Sequence, residues 1–140
     1  MSEVYVSGQS GIGRLIKALA ARGHRVIGPI VRNQAIVYDE ISGVEDLPKG
    51  WTDLQEPGRY RLEHRGDEKL FGYVVAAQSW KQFLNPPETV LWSGTVSSEG
   101  FMTDPVPETP KYAFFGVRPC EVAALGILDR VYASSNGTPA

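Results

Sequence analysis

Apolar residues recur with a helical period near the start of the chain. Ile12, Leu15, Ile16 and Leu19 fall at i, i+3, i+4 and i+7 within residues 11–22, one stripe of an amphipathic helix. Ser10 stands where it can cap that helix and Gly23 where it can stop it. The period then shortens. RVIGPIV (25–31) is an apolar run broken by Gly28-Pro29, and AIVYDEI (35–41) is rich in β-branched residues and tyrosine. Together they predict two strands joined by a turn at Asn33-Gln34. Residues 42–58 are punctuated by Gly43, Pro48, Gly50, Pro57 and Gly58 and predict an irregular connection.

RYRLEH (59–64) alternates polar and apolar residues, as a half-buried strand does. Its expected return strand is LFGYVV (70–75), reached by a turn at Arg65-Gly66-Asp67. Ser79 to Gln82 has capping-box spacing, so a short helix follows with Trp80, Phe83 and Leu84 on one side. Pro86-Pro87 ends it. VLWSGTV (90–96) reads as a further strand. Residues 97–110, with Gly100, Pro105, Pro107 and Pro110, read as a mobile loop. KYAFFGV (111–117) suits an interior strand. Residues 121–132 predict a helix with Ala124, Leu128 and Val131 along one stripe, Leu125 and Tyr132 beside it, and Pro119 at its first position. The polar tail 134–140 is expected to be disordered. The order α-β-β-β-β-α-β-β-α predicts an α+β fold, with a mixed β-sheet and about three helices in a single domain over residues 1–133.

Composition narrows the function. A hydrophobic fraction of 42% supports a sizeable core. A net charge of −2 without a basic stripe points away from nucleic acid and from anionic membranes. No apolar stretch reaches the roughly 18 residues of a transmembrane helix. The opening MSEVYVSGQSG lacks the basic and apolar regions of a secretory signal. One cysteine, Cys120, excludes an internal disulfide and fits a reducing cytoplasm.

Four groups of residues invite a chemical reading. Gly8, Gly11 and Gly13 precede a helix and could cradle a phosphate, but their G-x-x-G-x-G spacing matches neither the dinucleotide fingerprint nor the P-loop. A capped helix is the plain alternative. Gly116-Val117-Arg118-Pro119-Cys120-Glu121 lies where an apolar strand turns into a helix. Cys120 would sit in the first helical turn, where the dipole favours a thiolate, with Arg118 adding positive charge. A cluster ligand, a metal ligand, a reactive thiol and a small buried hydrophobe all remain open for Cys120. Arg59 and Arg61 share one strand face, which a phosphate or carboxylate could use and a solvated sheet face equally explains. His24 and His64 stand apart, without the close ligand spacing of a metal site. No nucleophile–base grouping appears.

Several segments together carry a resemblance: VIGPIVRNQAIVYDEI (26–41), DLPKGW (46–51), PGRYRLEHR (57–65), LFGYVVAAQSWKQFLNPP (70–87) and FFGVRPCEVAALGILDRVY (114–132). In this order and spacing they resemble the N-terminal region of 4Fe–4S dicluster proteins, a group that includes sulfhydrogenase beta subunits and the A subunit of anaerobic sulfite reductase. The resemblance covers nearly the whole chain after about residue 24. It implies a domain of an electron-transfer subunit, serving between a flavin-bearing, nicotinamide-using reductase subunit and a hydrogenase or reductase subunit. The family's two clusters lie on cysteine runs in a C-terminal part that has no counterpart in these 140 residues. No cofactor is therefore expected in this chain itself, and the resemblance implies an N-terminal domain alone, non-catalytic by itself. Of the family's cysteines only Cys120 finds a match, as a neighbour or ligand of a cluster completed by downstream cysteines, with Arg118 beside it. Two other readings compete. One is a small-molecule domain, holding a flavin or nucleotide phosphate at the Gly116–Glu121 joint or on Arg59 and Arg61. The other is an interaction module using Trp51, Trp80 and Trp92, for which burial in the core is the plain alternative.

Overall fold

The computed structural model describes residues 6–75, 78–98, 100–105 and 108–135. The first element is helix α1 (Gln9–Ala21). Its N-cap is Gly8, and Ser10 lies inside the first turn rather than capping it. Gly23, at φ +81°, turns the chain out of the helix in the left-handed region that glycine tolerates. Ile16 is fully buried, with Ile12 and Leu19 packed beside it. Leu15, also on the predicted stripe, is half-exposed, because α1 meets the sheet along a narrower line than the stripe is wide.

Strand β1 (His24–Arg32) runs straight through Gly28-Pro29 and pairs antiparallel with β2 (Ala35–Glu40). Asn33 and Gln34, at φ 50° and 59°, form the two-residue hairpin turn, whose positive φ values match the twist of the strands. Pro29 is tolerated for a geometric reason. It opposes Tyr38, whose own N–H points away from β1 to the Gln78 side chain at 3.3 Å. In such a pair the backbone nitrogens of both residues face outward. On that outer side β1 is paired only from His24 to Ile27, so no ladder bond is lost at Pro29.

The partner on that side is β7 (Lys111–Phe114), which runs parallel to β1. The sheet order is β2-β1-β7. β7 is thus an edge strand, not the interior strand its apolar sequence suggests. Its apolar side chains are consumed by the faces: Ala113 joins the α1 side, and Tyr112 and Phe114 the other. Alternation along β1 separates two cores. Val26 points to Ile16, Ile41 and Leu47 beneath α1. Ile27 points the opposite way, to Tyr38 and Trp80.

The chain between the first hairpin and β7 departs from the sequence expectation. A 3-10 turn at Val44–Asp46 is followed by a strand, β3 (Trp51–Glu56), inside the segment expected to be irregular. β3 pairs antiparallel with β4 (Arg59–His64) through the tight turn Pro57-Gly58. Residues 70–75 are not a strand and do not pair with β4. Val74 instead has both backbone groups held by side chains: its N–H donates to the Asp53 carboxylate and its carbonyl accepts from the Tyr60 hydroxyl at 3.1 Å. Those bonds satisfy the backbone without a ladder. Helix α2 (Lys81–Leu84) is a single turn whose N-cap is Trp80. Ser79 Oγ accepts from the Lys81 N–H at 3.2 Å, so the Ser79–Gln82 capping box does not form. β5 (Gly94–Ser97) and β6 (Gly100–Thr103) make a third hairpin, with β6 lying in the expected loop 97–110.

The last described element is α3 (Pro119–Ser135), with Pro119 as its first residue. It takes in the first two residues of the expected tail, and residues 136–140 lie outside the described set. The fold is α+β, with three helices and seven strands among the described residues. None of those helices is long and apolar enough to cross a membrane.

The two-faced core makes a sharp prediction. Ile27→Ala should cost about 2–5 kcal/mol in urea unfolding, because Ile27 is fully buried between Tyr38 and Trp80. Leu54→Ala, at a half-exposed position of β3, should cost well under half as much.

Candidate functional site

The strand–helix joint Gly116–Glu121 leads from β7 into α3 and is held by a set of hydrogen bonds. Phe115 N–H still donates to the Ile27 carbonyl at 2.8 Å. Gly116 then adopts φ +78° with Phe71 and Pro29 close by, a conformation and a space that suit glycine. Arg118 is the N-cap of α3. Its backbone N–H donates to Glu121 Oε2 at 2.8 Å, the third-position carboxylate of a capping box. The Arg118 guanidinium reaches Glu121 Oε1 at 3.5 Å.

Glu121 is the hub of the joint. Its side chain is only 12% exposed, and Oε1 also accepts the Tyr38 hydroxyl at 2.6 Å. Tyr38 in turn stacks on Trp80 with ring centroids 3.7 Å apart, and Trp80 packs against Phe114 at 4.7 Å. One carboxylate therefore ties the start of α3 to β2 and to the aromatic core. Burial alone would raise the Glu121 pKa. The Tyr38 hydroxyl, the Arg118 backbone N–H, the nearby Trp80 indole and the Arg118 guanidinium outweigh burial and hold it below its ordinary value of 4.5. Burial, reinforced by the bond to Glu121, pushes the Tyr38 hydroxyl well above its ordinary range, so it stays a donor.

Cys120 sits one residue from this hub in the first turn of α3 and is exposed. It is not the small buried residue that a strand–helix joint would accommodate. Arg118 is drawn toward Glu121, so its charge is committed to the joint. The remaining sequence candidates are scattered. Gly8, Gly11 and Gly13 are the N-cap and interior of α1, not a cradle loop; Gly13 lies beside Val44. Arg59 and Arg61 both stand exposed on β4, with Arg59 3.9 Å from Glu56. His24 and His64 belong to different sheets, and His64 Nδ1 accepts the Gly66 N–H at 3.1 Å. Among the described residues no three His, Cys, Asp or Glu side chains gather as metal ligands would. The three tryptophans divide: Trp80 is core, Trp51 is half-buried against His64, and Trp92 is exposed and edge-on to Phe101.

No protein-family model, curated protein or solved structure matches this chain. The site must be read from its own chemistry. That reading adds Tyr38 and Trp80, which sequence patterns did not mark as partners of the joint. The signal for Glu121 was present, since a proline at the first helical position followed two residues later by glutamate is a helix-start pattern.

Glu121 couples the joint to pH. Its folded pKa is lowered, so its contribution to stability is full above the ordinary value of 4.5 and is lost as pH falls through the lower folded value. In acid titrations followed by circular dichroism, Glu121→Gln should flatten the stability slope between the ordinary value of 4.5 and the lower folded value. At neutral pH it should lower stability by about 1–3 kcal/mol, through weakened bonds to the buried Tyr38 hydroxyl and the Arg118 N–H.

Proposed function

We propose that this domain is the docking and scaffold part of an iron–sulfur electron-transfer subunit of the hydrogenase-beta or sulfite-reductase-A kind, working in the cytoplasm. Its partners would be a flavin- and nicotinamide-binding reductase subunit and a hydrogenase or reductase subunit. The observation that carries the reading is the Gly116–Glu121 joint: a hydrogen-bonded turn presents an exposed Cys120 at the start of a helix that carries exposed apolar side chains. Val122, Ile127 and Val131 on α3 are all more than half exposed, the kind of side chains that protein partners cover. The β5–β6 hairpin adds exposed Val96, Phe101 and Met102.

The residues present do not fit a 4Fe–4S cluster within this chain. Such a cluster takes four thiolates, and the sequence supplies one. No electron-transfer step is assigned to these residues; their part is to hold a surface and a thiol in fixed relation. A scaffold of this kind needs no general acid or base.

An affinity-tagged chain recovered from its native cell without oxygen tests the reading, with iron and flavin measured in the eluate. The expected outcome is iron and flavin co-eluting with the wild type. Both should fall at least about tenfold for Ile127→Asp with Val131→Asp, since charges at the centre of an apolar interface cost more than about 1.4 kcal/mol. The purified chain alone should be free of iron and flavin. Flavin bound to the isolated chain would instead favour a small-molecule domain. Iron lost on Cys120→Ser from the isolated chain would make Cys120 a ligand within this domain.

A further inference from the structure

The β5–β6 hairpin stands apart from both cores. Every residue of its two strands is exposed, and among the described residues no other helix or strand packs closely on it. The pairing sorts its side chains by face. Val96 lies directly opposite Phe101, so the two share one face. Trp92 joins them, its ring edge-on to Phe101 with centroids 5.8 Å apart. Gly94 leaves room for that contact, since a Cβ there would stand 2.5 Å from the Phe101 ring. Trp92, Phe101 and Val96 thus make one apolar strip, and each is more than half exposed. An isolated two-stranded hairpin is marginal in water, and an exposed apolar patch of this kind marks an interaction surface.

Charge says what would cover it. From Gln82 to Pro110 the sequence holds Glu88, Glu99, Asp104 and Glu108 and no Lys or Arg. All 14 Lys and Arg side chains lie elsewhere. Among the described residues Glu88, Asp104 and Glu108 form no ion pair; Asp104 accepts the Ser93 hydroxyl at 2.8 Å. Glu88 and Glu108 line one groove, so acidic residues from before and after the hairpin come together in space. Such a surround repels another acidic surface and attracts Lys and Arg. Complementary charge around an apolar centre sets encounter rate and partner choice.

We infer that this hairpin face docks a basic protein segment, one with an apolar side for Trp92, Val96 and Phe101 and with Lys or Arg around it for the carboxylates. The inference rests on the docking reading in treating the hairpin as a contact surface, and it does not depend on the iron–sulfur partners.

The test is an NMR titration of the purified chain with a helical leucine–lysine peptide, its leucines at i, i+3, i+4 and i+7. Matched leucine–glutamine and leucine–glutamate peptides are the controls. The tryptophan indole signals are followed, with Trp92 assigned by Trp92→Phe. The expected result is a saturable shift of Trp92, with Trp51 and the buried Trp80 unmoved. The glutamine peptide should bind at least about tenfold more weakly and the glutamate peptide not at all. Salt at about 1 M, where the screening length is about 3 Å, should weaken the lysine peptide and leave the glutamine peptide unchanged. Val96→Ser with Phe101→Ser keeps every carboxylate and should weaken the lysine peptide at least about tenfold, with Trp51 and Trp80 at their wild-type positions. Glu88→Gln with Glu108→Gln leaves both strands untouched and should weaken it about threefold or more. The inference is overturned by equal affinity for the lysine and glutamine peptides, by all three indoles moving together, or by unchanged binding to either double variant. It is also overturned by a dimer of the chain alone that Val96→Ser with Phe101→Ser dissolves, which would make a second copy the occupant. Because the chain is used alone, the test can fail while iron and flavin still co-elute with it from the cell, and succeed where they do not.

Discussion

The structure depends on β1 being covered on both faces and held on both edges where the two pairings meet, around Val26 and Ile27. Val26 and Ile27 are adjacent residues, and the pleat sends them to opposite sides. Each needs its own cover. α1, the 3-10 turn and Ile41 supply it for Val26, and Trp80, Tyr38 and Phe114 supply it for Ile27. If β1 slipped by one residue, both cores would be inverted. The hairpin turn at Asn33-Gln34 and the parallel register with β7 guard against that slip.

The candidate site is built from the second of these cores. Tyr38 is a core residue by its ring and a ligand of Glu121 by its hydroxyl. The stacking that buries Trp80 therefore also fixes where α3 begins. Beyond its first turn, α3 packs only sparsely on the rest of the domain, leaving Val122, Ile127 and Val131 exposed. A helix anchored at one end and carrying exposed apolar side chains is suited to meeting something else, and the docking reading grows from that circumstance.

Sequence patterns marked some elements well and others badly, for physical reasons that can be named. The first hairpin was legible because its strands are strongly apolar and its turn residues tolerate positive φ. α3 was legible from Pro119 and its periodicity. β3 was not, because WTDLQE carries no clean alternation and becomes a strand only by pairing with β4 across Pro57-Gly58. Residues 70–75 have strand-like composition, yet Asp53 and Tyr60 capture the backbone of Val74 before a ladder can form. Cys120 and Arg118 were marked correctly as neighbours at a joint. That Arg118 is held by Glu121, and Cys120 left exposed, depended on where β2 lies.

The sequence by itself determined the α+β class, the register-setting turn at Asn33-Gln34, the end of α1 at Gly23 and the start of α3 at Pro119, because each follows from local backbone preference and short-range periodicity. Only the tertiary structure decided which strands pair, that β7 is an edge, and that Tyr38, Trp80, Arg118 and Glu121 converge. Those outcomes turn on contacts between residues 83 positions and more apart in the chain. No local propensity encodes them; they follow from the requirement that both faces of β1 be buried at once.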